Sequence, residues 1–234
     1  MTFTKKALSP DEYGFCTRML SHDAFAAITI HHLASRLPMT CVRASDGERA
    51  LIGHGLYNAE LAPFLKDDDW LTRYGVKGAD LKALGKAIHA AGNNATFLAP
   101  TVSGLWLPQF KTWNLFTPRA QYVDIFYPYN WARNLEALHG VLNAADKVLL
   151  AHKNCTGIIA NMTTSPKLTT KLVGFPLTSW SQHADVVKMV TAERPDLVLI
   201  CGGPHGKVLV DKLGQLTDQP RVILDVGSAV ENAW

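Results

Sequence analysis

DLVLICGGPHGKVLVDKL, Asp196 to Leu213, is the stretch whose reading decides the fold. Its opening run, Leu197 to Cys201, is short and apolar without alternation, as expected of a strand covered on both faces of a parallel sheet. Two glycines and a proline follow, and then Val208, Leu209, Leu213 and Leu216 recur at the spacing of one helix face. Strand, glycine turn and helix in that order form the repeating unit of a parallel α/β sheet.

Working outward, the same kind of apolar run recurs as MTCVRA (39–44), ATFLAP (95–100), QYVDIF (121–126), KVLLAH (147–152), KLVGFP (171–176) and RVILDV (221–226). Segments of helical length separate the later ones. SQHADVVKMVTAERP, with Ser179 just before it and Ser181 at its start as candidate caps, stops at Pro195. The pattern predicts a Rossmann-like, doubly wound α/β fold with a mostly parallel sheet flanked by helices. Residues 11–37 read as helix ending at Pro38, and residues 102–119, with Trp106, Pro108, Trp113 and Pro118, read as an irregular aromatic loop. No repeat, low-complexity tract or linker interrupts the chain. The expectation is one domain over 1–234, with 1–38 a helical segment packed on it.

The 234 residues are enough to bury a sizeable core, and 47% apolar with 18% charged residues is ordinary for a globular protein. A formal charge of +3 is too small and scattered to mark a nucleic-acid footprint. Cys16, Cys41, Cys155 and Cys201 match no CxxC spacing and read as reduced thiols. The first residues contain no apolar signal core and no run approaches membrane-spanning length, so a cytoplasmic chain is expected.

Open α/β sheets bind ligands at the carboxyl ends of their strands, so the residues after each run are the ones to inspect. After the first comes TCVRASDGERALI, Thr40 to Ile52. Asp46 and Glu48, spaced by Gly47, suit a hard cation such as Mg²⁺ or Mn²⁺, and Arg43 suits phosphate oxygens. The same residues also suit a helix start capped by Ser45 or Asp46, with Glu48 in the first turn. After the sixth run come Gly202, Gly203, Pro204, His205, Gly206 and Lys207. The turn is neither a Walker A loop, lacking Gly at 201 and Ser or Thr at 208, nor a GxGxxG fingerprint. It suits a diphosphate or its nucleoside at a helix start, or a plain strand-to-helix turn.

Other features carry less. His31, His32, His54, His152 and His205 share no zinc-ligand spacing and read as individual structural or surface residues. Asp67, Asp68 and Asp69 read as a solvated loop or a helix cap, with metal binding the lesser alternative. No GxSxG elbow is present. FYPYNWARN, Phe126 to Asn134, offers aromatics either for stacking on a base or sugar, with Asn130 and Arg133 beside them, or for core packing.

Three of these segments together resemble the glycosyltransferases of GT-D-type fold. VRASDGERALI resembles that family's Arg-x-Gly-Asp-Gly-Glu segment, with Ser45 in place of glycine. DLVLICGGPHGKVLVDKL is similar to its late strand, Gly-Pro turn and helix. RVILDVGSAVENAW is similar to its closing strand, but lacks the family's richness in His and Asp there. The resemblance implies that Asp46 and Glu48 serve Mn²⁺ or Mg²⁺ and a sugar diphosphate. It also implies that Arg43 lies near the phosphates and that the 202–207 turn lies against the nucleotide. The implied activity is sugar transfer from a nucleoside diphosphate sugar, UDP-linked above all, to a glycan, a protein or a modified DNA base. Asp225 and Glu231 are candidates on the acceptor side. A nucleotide-binding module without transfer, or a metal-dependent phosphohydrolase, are the alternatives.

Overall fold

The computed structural model describes residues 8–102, 111–119 and 121–231; Trp106 and Pro108 of the aromatic loop lie outside them. The elements in chain order are α1 (Pro10–Cys16), β1 (Met19–Leu20), α2 (His22–Ala34), β2 (Met39–Ala44), α3 (Asp46–Tyr57), α4 (Asp68–Arg73), α5 (Leu81–Asn94), β3 (Phe97–Pro100), β4 (Tyr122–Val123), α6 (Tyr127–Arg133) and α7 (Leu135–Asn143). Then follow β5 (Lys147–Ala151), α8 (Cys155–Met162), β6 (Lys171–Phe175), α9 (His183–Glu193), β7 (Leu197–Ile200), α10 (Gly203–Gly214) and β8 (Val222–Asp225).

Six strands form one parallel sheet in the order β3-β2-β8-β7-β5-β6. Successive residues point to opposite faces, and both faces are covered. Leu149, Val198 and Ile223 pack with Leu51 of α3, Ile88 of α5 and Leu209 of α10. Their neighbours Leu150, Leu199 and Leu224 pack with Phe25 of α2, Val141 of α7 and Ile158 of α8. Burial on both sides is why these runs lack polar alternation. The chain leaves β2 toward the β3 edge and β5 toward the β6 edge. The ends of β2, β8, β7 and β5 therefore lie side by side at the centre, where ligands of such sheets bind.

Two expectations are corrected. Residues 11–37 are not one helix: α1 and α2 are separate, with the short strand β1 between them. Ser9 caps α1 through a box with Glu12, and Ser21 starts α2 afresh by accepting from the Ala24 N–H at 3.2 Å. QYVDIF does not join the main sheet either. Only Tyr122–Val123 is strand, paired with β1, because the Asp124 carboxylate accepts from the Phe126 N–H at 2.9 Å and turns the chain into α6. In the aromatic loop, Trp113 is buried and stacks on Phe15 with ring centroids 4.3 Å apart. Asp67 caps α4, accepting from the Asp69 N–H at 2.9 Å. Among the described residues, no helix is long and apolar enough to cross a membrane.

Candidate active site

The segments that follow β2, β8, β7 and β5 open on one cavity of about 710 Å³. Its size suits a small-molecule ligand. Arg43 and Asp46 reach it from β2 and α3, Gly227 and Glu231 from beyond β8, Gly202 and Gly203 from beyond β7, and His152 and Lys153 from beyond β5.

The floor is a buried charge cluster. Lys207, in the second turn of α10, places Nζ 3.1 Å from Glu48 Oε1 and 3.1 Å from Asp225 Oδ2. It also donates to the Gly203 carbonyl at 3.0 Å, so its three N–H bonds have three acceptors. Glu48 Oε2 accepts from the Ser45 backbone N–H at 2.9 Å and from the Ser45 hydroxyl. Asp225 accepts from the backbone N–H groups of Arg43 at 3.1 Å and Gly227 at 3.2 Å. Burial pushes the Glu48 carboxyl up, but Lys207 and the Ser45 hydrogen bonds outweigh it and hold the pKa below the ordinary value. Burial likewise pushes Lys207 down, and Asp225 and Glu48 outweigh that and raise it. The cluster is charged and closed.

Above it the arrangement opens. The Arg43 Nε–H donates to the Ile125 carbonyl at 2.9 Å, and the guanidinium lies 5.8 Å from the centroid of the Tyr129 ring. A Cβ on Gly227, whose φ is +55°, would fall 2.1 Å from Arg43 Nη1, so glycine is what lets the guanidinium cross to the cavity. Neither Nη atom of Arg43 has a protein acceptor among the described residues. Asp46, with 35% of its side chain exposed, is held by Arg49 at 2.7 Å.

A second carboxylate stands at the rim. Glu231 Oε1 lies 2.8 Å from Lys153 Nζ and 3.1 Å from His152 Nε2. His152 Nδ1 accepts from the Asn154 N–H at 2.9 Å, which leaves the ring proton on Nε2 to donate to Glu231. The Lys153 hydrogen bond is the main reason the Glu231 carboxyl sits below its ordinary pKa, and it stays ionised through neutral pH. Its side chain remains 36% exposed.

In the turn before α10, Gly202 and Gly203 line the cavity, while Gly206 lies against Ile200 and lets the helix approach the sheet. His205 is buried, with Nδ1 2.9 Å from His183 Nε2. Burial lowers the two rings to about 3 and about 4, respectively. His205 therefore ties α10 to α9 as a neutral residue.

The structure thus gathers Arg43, Asp46, Gly202, Gly203, Pro204, His205, Lys207 and Glu231 around one space, with Glu48 beside Lys207, and leaves Asp225 beneath it, fully buried. Of FYPYNWARN only Tyr129 reaches the cavity; Tyr127 and Trp131 are core. His152 ends the KVLLAH run and Lys153 follows it, so their place at a strand end is the sequence signal for them. The aromatic wall of Phe64, Trp70 and Tyr74 had no comparable signal, since it lies between α3 and α5, away from any strand end.

Among the described residues, no three His, Cys, Asp or Glu side chains are grouped to hold a metal ion. Asp46, whose Oδ1 is held by Arg49, supplies a carboxylate of the kind a hard cation takes, with phosphate and water oxygens making up the rest. Direct ligation by Glu48 does not fit, since its two oxygens are engaged by Lys207 and Ser45.

Fold and cavity together define a class: an α/β protein with a cavity lined by charged residues at the carboxyl ends of a parallel sheet, sharing a glycosyltransferase fold. The solved structure that shows this is described in the words "The highly conserved domain of unknown function 1792 has a distinct glycosyltransferase fold". It superposes with a TM-score of 0.58 at 15% identity, over 93% of this chain and 82% of that one. No protein-family model and no curated protein matches the chain.

Proposed function

We propose that this protein is a glycosyltransferase of the GT-D type, moving a sugar from a nucleoside diphosphate sugar, a UDP-sugar first among them, to an acceptor hydroxyl. The observation that carries the reading is Arg43 lining the cavity together with Asp46 and the starts of α3 and α10, with neither Nη atom bonded to an acceptor among the described residues. A guanidinium and two helix N-termini suit a diphosphate, whose negative charge grows as it leaves. The shared fold supports the same activity.

In this mechanism the acceptor oxygen attacks the anomeric carbon. The bond from that carbon to the phosphate oxygen breaks, and the diphosphate leaves with the electron pair. Arg43 and the first-turn N–H groups take up its charge. Glu231, ionised and oriented by His152 and Lys153, accepts the proton of the attacking hydroxyl. Asp225 and Glu48 act as positioning residues that hold Lys207, so that the floor keeps its shape as charge moves above it. Mg²⁺ or Mn²⁺, held by Asp46, would add Lewis-acid neutralisation of the diphosphate. The acceptor is a hydroxyl on a glycan, a protein or a modified DNA base.

The test is a panel of nucleoside diphosphate sugars, scored by thermal shift and by product analysis, with and without Mn²⁺ or Mg²⁺ and with and without acceptor mixtures. One donor should raise Tm, since a ligand that binds only the folded state stabilises it. Product should then depend on acceptor. Acceptor-independent cleavage to sugar 1-phosphate and nucleoside monophosphate would make the protein a phosphohydrolase, and binding without turnover would make it a nucleotide-binding module. Either outcome overturns the proposal.

A further inference from the structure

The cavity has a wall that the charge chemistry does not use. Phe64, Trp70 and Tyr74 follow one another along it, with ring centroids 5.1 Å apart and planes tilted by 51° for the first pair, and 4.5 Å and 40° for the second. Each end of the Trp70–Tyr74 pair rests on a glycine in the first turn of a helix. A Cβ on Gly47 of α3 would lie 3.5 Å from Trp70 Cζ2. A Cβ on Gly203 of α10 would lie only 2.9 Å from Tyr74 Cδ1, and Gly203 has φ +54°. The aromatic pair therefore bridges the starts of the same two helices that flank Arg43.

This pair is only partly buried, Trp70 resting against the core with part of its surface open. Tyr74 is 37% exposed and Trp70 is half-buried, although an apolar ring gains more by full burial. Leu177 and Thr178 line the same space, and Thr72 and Arg73 supply polar groups to it. A nucleobase has this profile: a flat face that stacks and a polar edge that needs hydrogen bonds. The other aromatic in the cavity is engaged differently. Tyr129 has Arg43 over its ring, and its hydroxyl lies 2.9 Å from Ser228 Oγ. It belongs to α6, whose buried Tyr127 and Trp131 pack on the opposite face of the sheet from α3 and α10.

We propose that Trp70 and Tyr74 form a stacking platform for the base of a nucleoside diphosphate. The donor then runs from this platform, past Arg43 with its diphosphate, to present its sugar near Glu231. The inference rests on the nucleoside diphosphate sugar reading above and adds the direction in which the donor lies.

Calorimetric titration of the intact protein with UDP, ADP, GDP, CDP, TDP and inorganic pyrophosphate tests it. At least one nucleoside diphosphate should bind wild type more tightly than pyrophosphate does. Tyr74→Ala should weaken that nucleotide by about 5- to 150-fold, the loss of one base–aromatic stack, with pyrophosphate binding unchanged. Tyr74→Phe should keep the affinity and so exclude a misfolding artefact. Quenching of tryptophan emission by the nucleotide should fall in Trp70→Phe. Equal nucleotide affinity in wild type and Tyr74→Ala would overturn the platform and leave the donor reading intact. Pyrophosphate binding with no preference for any nucleoside diphosphate would also overturn it, leaving only an anion site. Binding of neither would overturn the donor reading itself and the platform with it.

Discussion

Glu48 and Glu231 each meet a lysine at the carboxyl ends of the same sheet, at 3.1 Å and 2.8 Å, yet only one of them is exposed to any extent. Glu48 is 4% exposed, and its oxygens are shared out between Lys207 and Ser45. Glu231 is 36% exposed on the wall of the cavity, with a buried imidazole behind it. In the first cluster, desolvation makes every charge depend on its partner, so the cluster specifies geometry. In the second, water screens the pair, the pair contributes little to the fold, and the carboxylate remains accessible for chemistry. A carboxylate–lysine pair is thus not one kind of object; burial decides its role.

The sharpest way to break this contrast is to remove the buried ammonium. Lys207→Met leaves Glu48 and Asp225 facing each other without a counter-charge. It should cost about 3–5 kcal/mol, or about 6–20 °C in Tm. Adding Asp225→Asn to it should recover part of the loss, and a Lys207→Met protein melting with wild type would show that the floor carries no such strain. Glu231→Gln is the counterpart at the rim. Its Tm should stay within about 2 °C of wild type while kcat falls by about 10²- to 10⁴-fold. Full turnover in that variant would remove Glu231 from the mechanism. Asp46→Asn, at the cavity mouth, should abolish any Mn²⁺ or Mg²⁺ dependence of nucleotide binding, measured by titration in the presence and absence of the ion.

The smaller effects sharpen the comparison through pH. His183 and His205 have folded-state pKa values lowered to about 4 and about 3, chiefly by burial. The unfolded chain binds protons on both near the ordinary histidine value, about 6.5, so it gains protons before the folded chain does. Stability from this pair is therefore present above about pH 6.5 and is lost as pH falls toward 4 and below. The same sign applies to Glu48, whose lowered pKa adds a loss only below the ordinary carboxyl range. A Tm–pH profile should begin to slope downward above that range, and His183→Gln should flatten the upper part of the slope. At the rim, Lys153→Met removes the main cause holding Glu231 low, so the acidic limb of the pH–rate profile should move to higher pH. An unmoved limb would detach Lys153 from Glu231.

Much of this was written locally. The continuous apolar runs identified the strands of the main sheet because both faces of a parallel sheet are buried. The segment after the first run holds a capped helix start, with Glu48 reaching back to Ser45, and that helix start lines the cavity. Where local reading failed, a short-range signal had been outvoted. Ser21 restarts a helix inside a helical stretch, and Asp124 ends a strand inside an apolar run.

What the sequence alone determined is what a few neighbouring residues can encode: periodicity, caps, the glycine turn, and hence a doubly wound α/β fold with charge at its strand ends. Only the tertiary structure decided which charges meet. β2 lies beside β8, and β8 beside β7, so Glu48, Asp225 and Lys207 converge although no spacing along the chain links them. The same packing brings Tyr74 onto Gly203 and His152 onto Glu231. The reason is physical. Secondary structure is set by backbone and side-chain preferences over a turn or a strand, whereas a site is set by the order in which strands pair, and that order is chosen by the whole core at once.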